Sequence, residues 1–343
     1  MYNRLFQIAI PSLVGLTYCL FPAFGTLAAE TEADTAKEEA RIEKLRESLD
    51  PFYKQHVVAD GLLIVSSEKV APQALEEVAY LARNMLANRP DVLKWFGEKR
   101  NMYVPVIAWE EMQSALPECR GQSNWADYRC RGQGGRPISC GEENVLGYPG
   151  DPWQGENIFV HEFAHGVHGI MAAMDPKFNE QLKALHAKAE ATGRFRGYAI
   201  EGKHSEFWAE GSQAWFNCNG GTRPKCGGGQ SSFEVLGPDG EHVLHIRTRG
   251  QLKKHLPEYA GFLDQSYRQN EWLYVPVAER VDMPHLRGYD PAKAPTFRFA
   301  PGAKARYEAT QRLRAKQKKL MEKKKLTRSR KVIKDPVDFS ELT

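Results

Sequence analysis

"NIFVHEFAHGVHGIM", residues 157–171, sets three histidines within eight positions of an otherwise apolar run. His161 and His165 stand four apart, a spacing that puts both imidazoles on one helical face, one turn from each other. Two neutral imidazoles converging in this way suit a zinc ion. Glu162 directly follows His161. Its carboxylate therefore points beside the metal rather than at it, where it can accept a proton from a zinc-activated water. Ile158, Phe159, Val160, Phe163 and Ala164 supply the apolar packing of a central helix, predicted to end near Met174, where Asp175-Pro176 stops it.

A catalytic zinc needs a third protein ligand and an open fourth position. His168 lies two helical turns from His161, about 10 Å of rise away, and reads as a structural or pocket-wall residue. The longer motif that breaks the helix at glycine to recruit a third histidine is missing, since position 168 is His and position 171 is Met. Glu206 in "SEFWAEGSQAW" is the preferred ligand, on a second helix with Glu210 one turn later. Such a pair can divide two jobs: Glu206 binds zinc, and Glu210 accepts the free N–H of a ligand histidine. Glu210 as the ligand, with Glu206 outside, is the alternative. Phe207, Trp208 and Trp215 would bury the rest of that helix.

Outward from these two helices the pattern is mixed. "HVVADGLLIVSS" predicts a strand or strand pair, "NMYVPVIAWEEM" a second strand and "PISCGEENVL" a third, with a long Gly- and Cys-containing loop to about residue 137. "APQALEEVAYLARNMLA" has helical spacing with Pro72 near its start. "KFNEQLKALHAKAEATG" predicts a further helix, "LGPDGEHV" a hairpin turn, and "RGQLKKHLPEYAGFLDQSY" helix around Pro257. After Val277 no core pattern is visible, although residues 303–325 can be helical. The fold class expected is α+β, with a small mixed sheet, an active-site helix and a mainly helical C-terminal subdomain.

The first 29 residues read as a secretory signal peptide: a lone Arg4, an apolar run, and small residues at a cleavage point of Ala28 or Ala29. Export, to an extracellular or periplasmic site, is preferred over retention as a membrane anchor. A charged helical lead-in at 30–50, a catalytic domain at 51–277 and a basic tail at 278–343, partly helical or disordered, complete the organisation. Between Lys304 and Lys334 fourteen Lys or Arg face two Glu, so this segment carries +12 and the remainder of the chain −8. An exported chain with such a tail is not expected to bind nucleic acid; a solvated face or an electrostatic contact with an anionic envelope or matrix is. Export also makes disulfides an expectation among Cys119, Cys130, Cys140, Cys218 and Cys226, with Cys218 and Cys226 placed to close "CNGGTRPKC" and one cysteine left over.

"HEFAH" followed at helix-length interval by "YAIEGKHSEFWAEGSQAWFN" resembles the catalytic domain shared by anthrax lethal factor and the Pro-Pro endopeptidases, and more closely the secreted microbial proteins with a lethal-factor-like domain. The resemblance covers roughly residues 50–275 and also touches "WADYRCRGQGGRPISCGEENVL" and "TRGQLKKHLPEYAGFL". It implies a zincin-like fold of the glutamate-zincin type and one zinc ion held by His161, His165 and Glu206. Glu162 would be the general base and Tyr198 a donor to the developing oxyanion. It further implies that Gly141, Glu142, Glu143 and Asn144 form an edge strand holding extended peptide. Tyr198 stands eight residues before Glu206, one more than the family pattern, which leaves His204 as the alternative oxyanion donor. The expected activity is zinc-dependent peptide-bond hydrolysis on a peptide or protein substrate. The rivals are a non-catalytic zinc- or envelope-binding protein and a zinc hydrolase of a non-peptide amide.

Overall fold

The computed structural model describes residues 24–98, 101–120, 126–220, 233–237 and 243–323. The chain opens with α1 (Phe24–Glu47), within which the expected cleavage point at Ala28 or Ala29 falls. Next come β1 (Gln55–Ala59) and β2 (Leu62–Ser66), an antiparallel hairpin. Its two turn residues, Asp60 and Gly61, both have positive φ, 46° and 90°. That is the backbone a two-residue hairpin needs, and Asp-Gly supplies it cheaply. "HVVADGLLIVSS" is thus a strand pair. β2 is buried along its whole length, as its unbroken Leu-Leu-Ile-Val run requires of a strand covered on both faces.

Two helices follow, α2 (Pro72–Met85) and α3 (Pro90–Glu98), each with proline at its first position, where a missing N–H is harmless. β3 (Tyr103–Ile107) then runs parallel to β2. After α4 (Ala126–Arg129) the chain makes β4 (Gly132–Gly134) and β5 (Ile138–Gly141). β5 is parallel to β3 and β4 antiparallel to β5, giving the order β1-β2-β3-β5-β4 with β4 at the edge. The third predicted strand therefore stops at Gly141, and Glu142–Val145 turn into a short helix, α5.

α6 (Ile158–Met174) ends where Asp175-Pro176 predicts, and α7 (Pro176–Ala191) begins on an Asp175 cap. Asn157 caps α6 by accepting from Val160 N at 3.0 Å, and Asn144 Oδ1 accepts from Ile158 N at 2.7 Å. Phe163 stacks on Phe96 of α3 at 4.8 Å and on Phe159 at 5.0 Å. Then come β6 (Phe195–Arg196), α8 (Tyr198–Glu201) and α9 (His204–Trp215). A three-stranded sheet forms from β6, β7 (Glu234–Leu236) and β8 (Val243–His245). The predicted hairpin turn between the last two lies at 238–242, outside the described residues. α10 (Arg249–His255) and α11 (Pro257–Ser266) split at Pro257, and α12 (Ala303–Lys323) follows a long connection. The α+β class with a small mixed sheet holds, and no described helix is long and apolar enough to cross a membrane.

Three features depart from the sequence reading. The connection from Tyr267 to Ala303 is packed, with Val277, Leu286 and Phe297 buried. Arg280 Nη1 donates to the buried Glu77 at 2.8 Å, and the Phe297 amide donates to the Pro149 carbonyl at 2.8 Å. These anchors come singly from an extended segment, so no periodicity announces them. Second, the described cysteines 119, 130, 140 and 218 are free, and Cys226 lies outside the described residues. Cys140 belongs to the apolar core from the middle of β5, where burial pushes its thiol pKa up, so it serves as a small hydrophobe. Third, the loop expected up to residue 137 contains the edge strand β4.

Arg131 fixes the start of that edge strand. It is fully buried, pairs with Glu143 through Nη2 at 2.8 Å, and donates to the Ala108 and Glu111 carbonyls at 3.1 and 2.6 Å. Arg131→Leu leaves Glu143 buried and uncompensated, and should cost about 3–5 kcal/mol in urea unfolding. The double variant Arg131→Leu/Glu143→Leu should recover most of that loss; equal loss in both would deny the pair this role.

Candidate metal centre

α6 and α9 pack against each other, with the buried Trp208 indole N–H donating to the Ala164 carbonyl at 2.8 Å. This contact sets the first turn of α9 opposite the middle of α6. Glu206 Oε2 lies 3.4 Å from Nε2 of both His161 and His165, and the two Nε2 atoms are 3.2 Å apart. All three ligand atoms fall within 4.8 Å of one another, a group that can hold one metal ion. His161, His165 and Glu206, taken from the sequence as the ligands, are thus brought together.

Charge supports the same conclusion. Glu162, Glu206 and Glu210 all line one cavity of about 650 Å³ together with the two histidines. Burial raises the Glu162 pKa, the neighbouring histidines draw it back, and Glu206 raises it further. Burial also works to raise Glu206, but hydrogen bonds and charge from His161 and His165 win, holding it well below the usual carboxylate range. For His161 burial favours the neutral ring, yet Glu206, Glu162 and Glu210 together raise its pKa. Carboxylates crowded this closely around two imidazoles favour a positive charge among them, which a divalent cation on the same three ligands can supply.

The third histidine stands apart. His168 Nε2 pairs with Asn179 Oδ1 at 3.1 Å, and its ring meets His204 edge-on at 5.6 Å. His204, the first residue of α9, packs on that ring. The backbone of Tyr198 starts α8, and its side chain lies outside the described residues.

His161 has a partner that the sequence reading does not name. His161 Nδ1 meets Gln213 Oε1 at 2.9 Å, and Gln213 Nε2 donates to the Asn157 carbonyl at 3.0 Å. Because its amide nitrogen is engaged there, Gln213 presents oxygen to the ring, so Nδ1 carries the proton and Nε2 keeps its lone pair for a metal. Glu210 is fully buried and lines the cavity. Gln213 follows Glu206 by seven residues, two turns along the same face of α9; that spacing was its only mark in the sequence.

The expected substrate strand also moves. Gly141 closes β5, and Glu142, Glu143 and Asn144 lie in α5, all buried. Glu142 accepts from the Ala71 and Trp109 amides at 2.8 and 3.1 Å, Glu143 holds Arg131, and Asn144 caps α6. Helical and buried residues cannot offer an extended edge, so these four are scaffold. The strand beside the site is β4, whose "Gly-Gln-Gly" alternation places both glycines against α6. A Cβ on Gly134 would fall 2.5 Å from His165 Cδ2 and 2.8 Å from Glu162 Oε2. One on Gly132 would fall 2.6 Å from Ile158 Cγ2 and 3.1 Å from Glu162 Cγ. Any larger residue lifts the edge strand off the metal helix.

No family model, no curated protein and no solved structure matches the chain. The assignment of the site therefore rests on its geometry.

Gln213→Leu should weaken zinc binding about 10–100-fold in competition with a chromophoric chelator, because His161 loses the partner that fixes its tautomer. Unchanged affinity would remove Gln213 from the site's support.

Proposed function

We propose that the chain is an exported zinc-dependent metalloendopeptidase of the glutamate-zincin type, akin to the lethal-factor-like proteins that its motifs resemble. The observation that carries the reading is a single constellation. Two imidazoles and one carboxylate converge on one point, Glu162 stands beside them, and an edge strand runs against the same helix.

Zinc on His161, His165 and Glu206 would supply a Lewis acid and lower the pKa of water there towards about 7. Glu162 takes the proton from the attacking water and passes it to the leaving amine nitrogen. Its raised pKa suits both transfers, since a base poised nearer to neutrality also serves as an acid. Gln213 holds the His161 ring in the tautomer this requires. An extended peptide adds to the open side of β4 by main-chain hydrogen bonding, and the two glycines let it lie close over α6. Tyr198 is the oxyanion donor in this reading, with His204 displaced onto His168.

The test is metal analysis and a peptide-library cleavage assay on the full chain. Wild type should hold one zinc and cleave. Glu162→Gln should keep its zinc and lose about 10²–10⁴-fold in kcat. The reading falls if zinc-replete wild type cleaves nothing that the variant leaves intact.

A further inference from the structure

The basic C-terminal helix is not remote from the cavity. Tyr128 of α4 packs on Phe299 at 4.6 Å and on Tyr307 of α12 at 5.7 Å. Phe299 in turn meets Trp153, a wall of the cavity, at 6.4 Å. The docked end of α12 is therefore built onto the cavity's side through one aromatic chain, and Ala303 and Thr310 are buried there. Beyond that end, Arg312, Lys316, Lys318 and Lys319 are exposed. Across Ala303–Lys323 eight Lys or Arg face two Glu.

The cavity itself contributes two cations. Arg129, the last residue of α4, and Lys203, immediately before α9, both line it. Among the described residues neither side chain has a hydrogen-bond or ion-pair partner. Arg131, by contrast, is consumed by Glu143 and by two carbonyls. Arg129 shares that cavity lining with Glu162. An unpaired guanidinium in a concave site is a bidentate receptor for carboxylate, and a row of exposed cations beside it raises the local concentration of acidic ligands.

Resting on the peptidase reading above, we propose that the substrate is an acidic polypeptide segment, with Glu or Asp side chains pairing with the cavity cations Arg129 and Lys203 and neighbouring carboxylates drawn in by α12. A bare anionic polymer would need only the exposed helix; the cavity cations are placed for a chain that enters the cleft.

Binding separates this from catalysis. Fluorescence anisotropy would be measured on full-length Glu162→Gln with labelled peptide pools that differ only in Glu or Gln at matched positions. The Glu pool should bind at least about tenfold tighter at low salt, with the gap closing by about 200 mM salt. Arg129→Gln should remove most of the preference and Arg129→Lys should restore part of it. Lys316→Gln/Lys318→Gln/Lys319→Gln, all exposed, should flatten the salt dependence while leaving the fold intact by circular dichroism. Equal affinity for the two pools overturns the proposal, as does a Glu preference that survives both Arg129→Gln and the triple variant. Equally tight, salt-sensitive binding of dextran sulfate that ignores Arg129→Gln overturns it in favour of polymer tethering. None of these outcomes depends on cleavage, so failure of the peptidase reading would show separately as an inactive wild type.

Discussion

The packing of α9 across α6 is the constraint on which the site depends. Histidines at i and i+4 can face one point from a single helix, but no residue on that helix can complete a compact ligand set. The third ligand must come from another element held at fixed height. Trp208, buried between the helices and bonded to the Ala164 carbonyl, fixes that height from one turn inside α9. Gln213 fixes it again from two turns along, by tying His161 to the Asn157 carbonyl at the start of α6. Glu206 reaches both imidazoles because these two ties leave α9 little freedom to slide. The site is thus an outcome of core packing, and the buried Trp208 supports the ligand geometry without touching it.

The same helix imposes a condition on the sheet. β4 runs so close to α6 that its inward positions admit only glycine. Gly132 and Gly134 stand two apart, so strand alternation sets both on the face towards α6. Behind the strand, the buried Arg131–Glu143 pair and the carbonyls of the preceding segment hold its start in place. Such a pair is costly to desolvate, and its value here is positional, keeping a short glycine-rich strand from drifting.

What was legible in the sequence follows from how local each signal is. The His161–His165 face needs only helical geometry, so it was readable from five residues. Glu206 and the α9 helix were readable because a catalytic metal demands one more ligand and "SEFWAEGSQAW" offers one on an apolar helix. The hairpin at Asp60-Gly61 and the helix stop at Asp175-Pro176 are backbone signals of the same local kind. β4 was not legible: three residues, two of them glycine, carry no apolar alternation. Glu142, Glu143 and Asn144 misled because buried scaffold polar residues look the same in sequence as exposed polar edges. Gln213 lay in plain view, but choosing it as the partner of His161 requires knowing where the Asn157 carbonyl stands. The packed segment after Val277 contributes isolated anchors rather than a face, which no period can reveal.

The sheet, the two central helices and the cavity together frame a candidate metal centre whose ligand atoms are nitrogen and oxygen, with Cys130 nearby in the cavity wall but outside the ligand group. X-ray absorption at the zinc edge on the metal-loaded full chain tests that most directly. The account predicts a first coordination shell of nitrogen and oxygen only, with the multiple-scattering signature of two imidazoles. A sulfur scatterer, or a single imidazole, would contradict it.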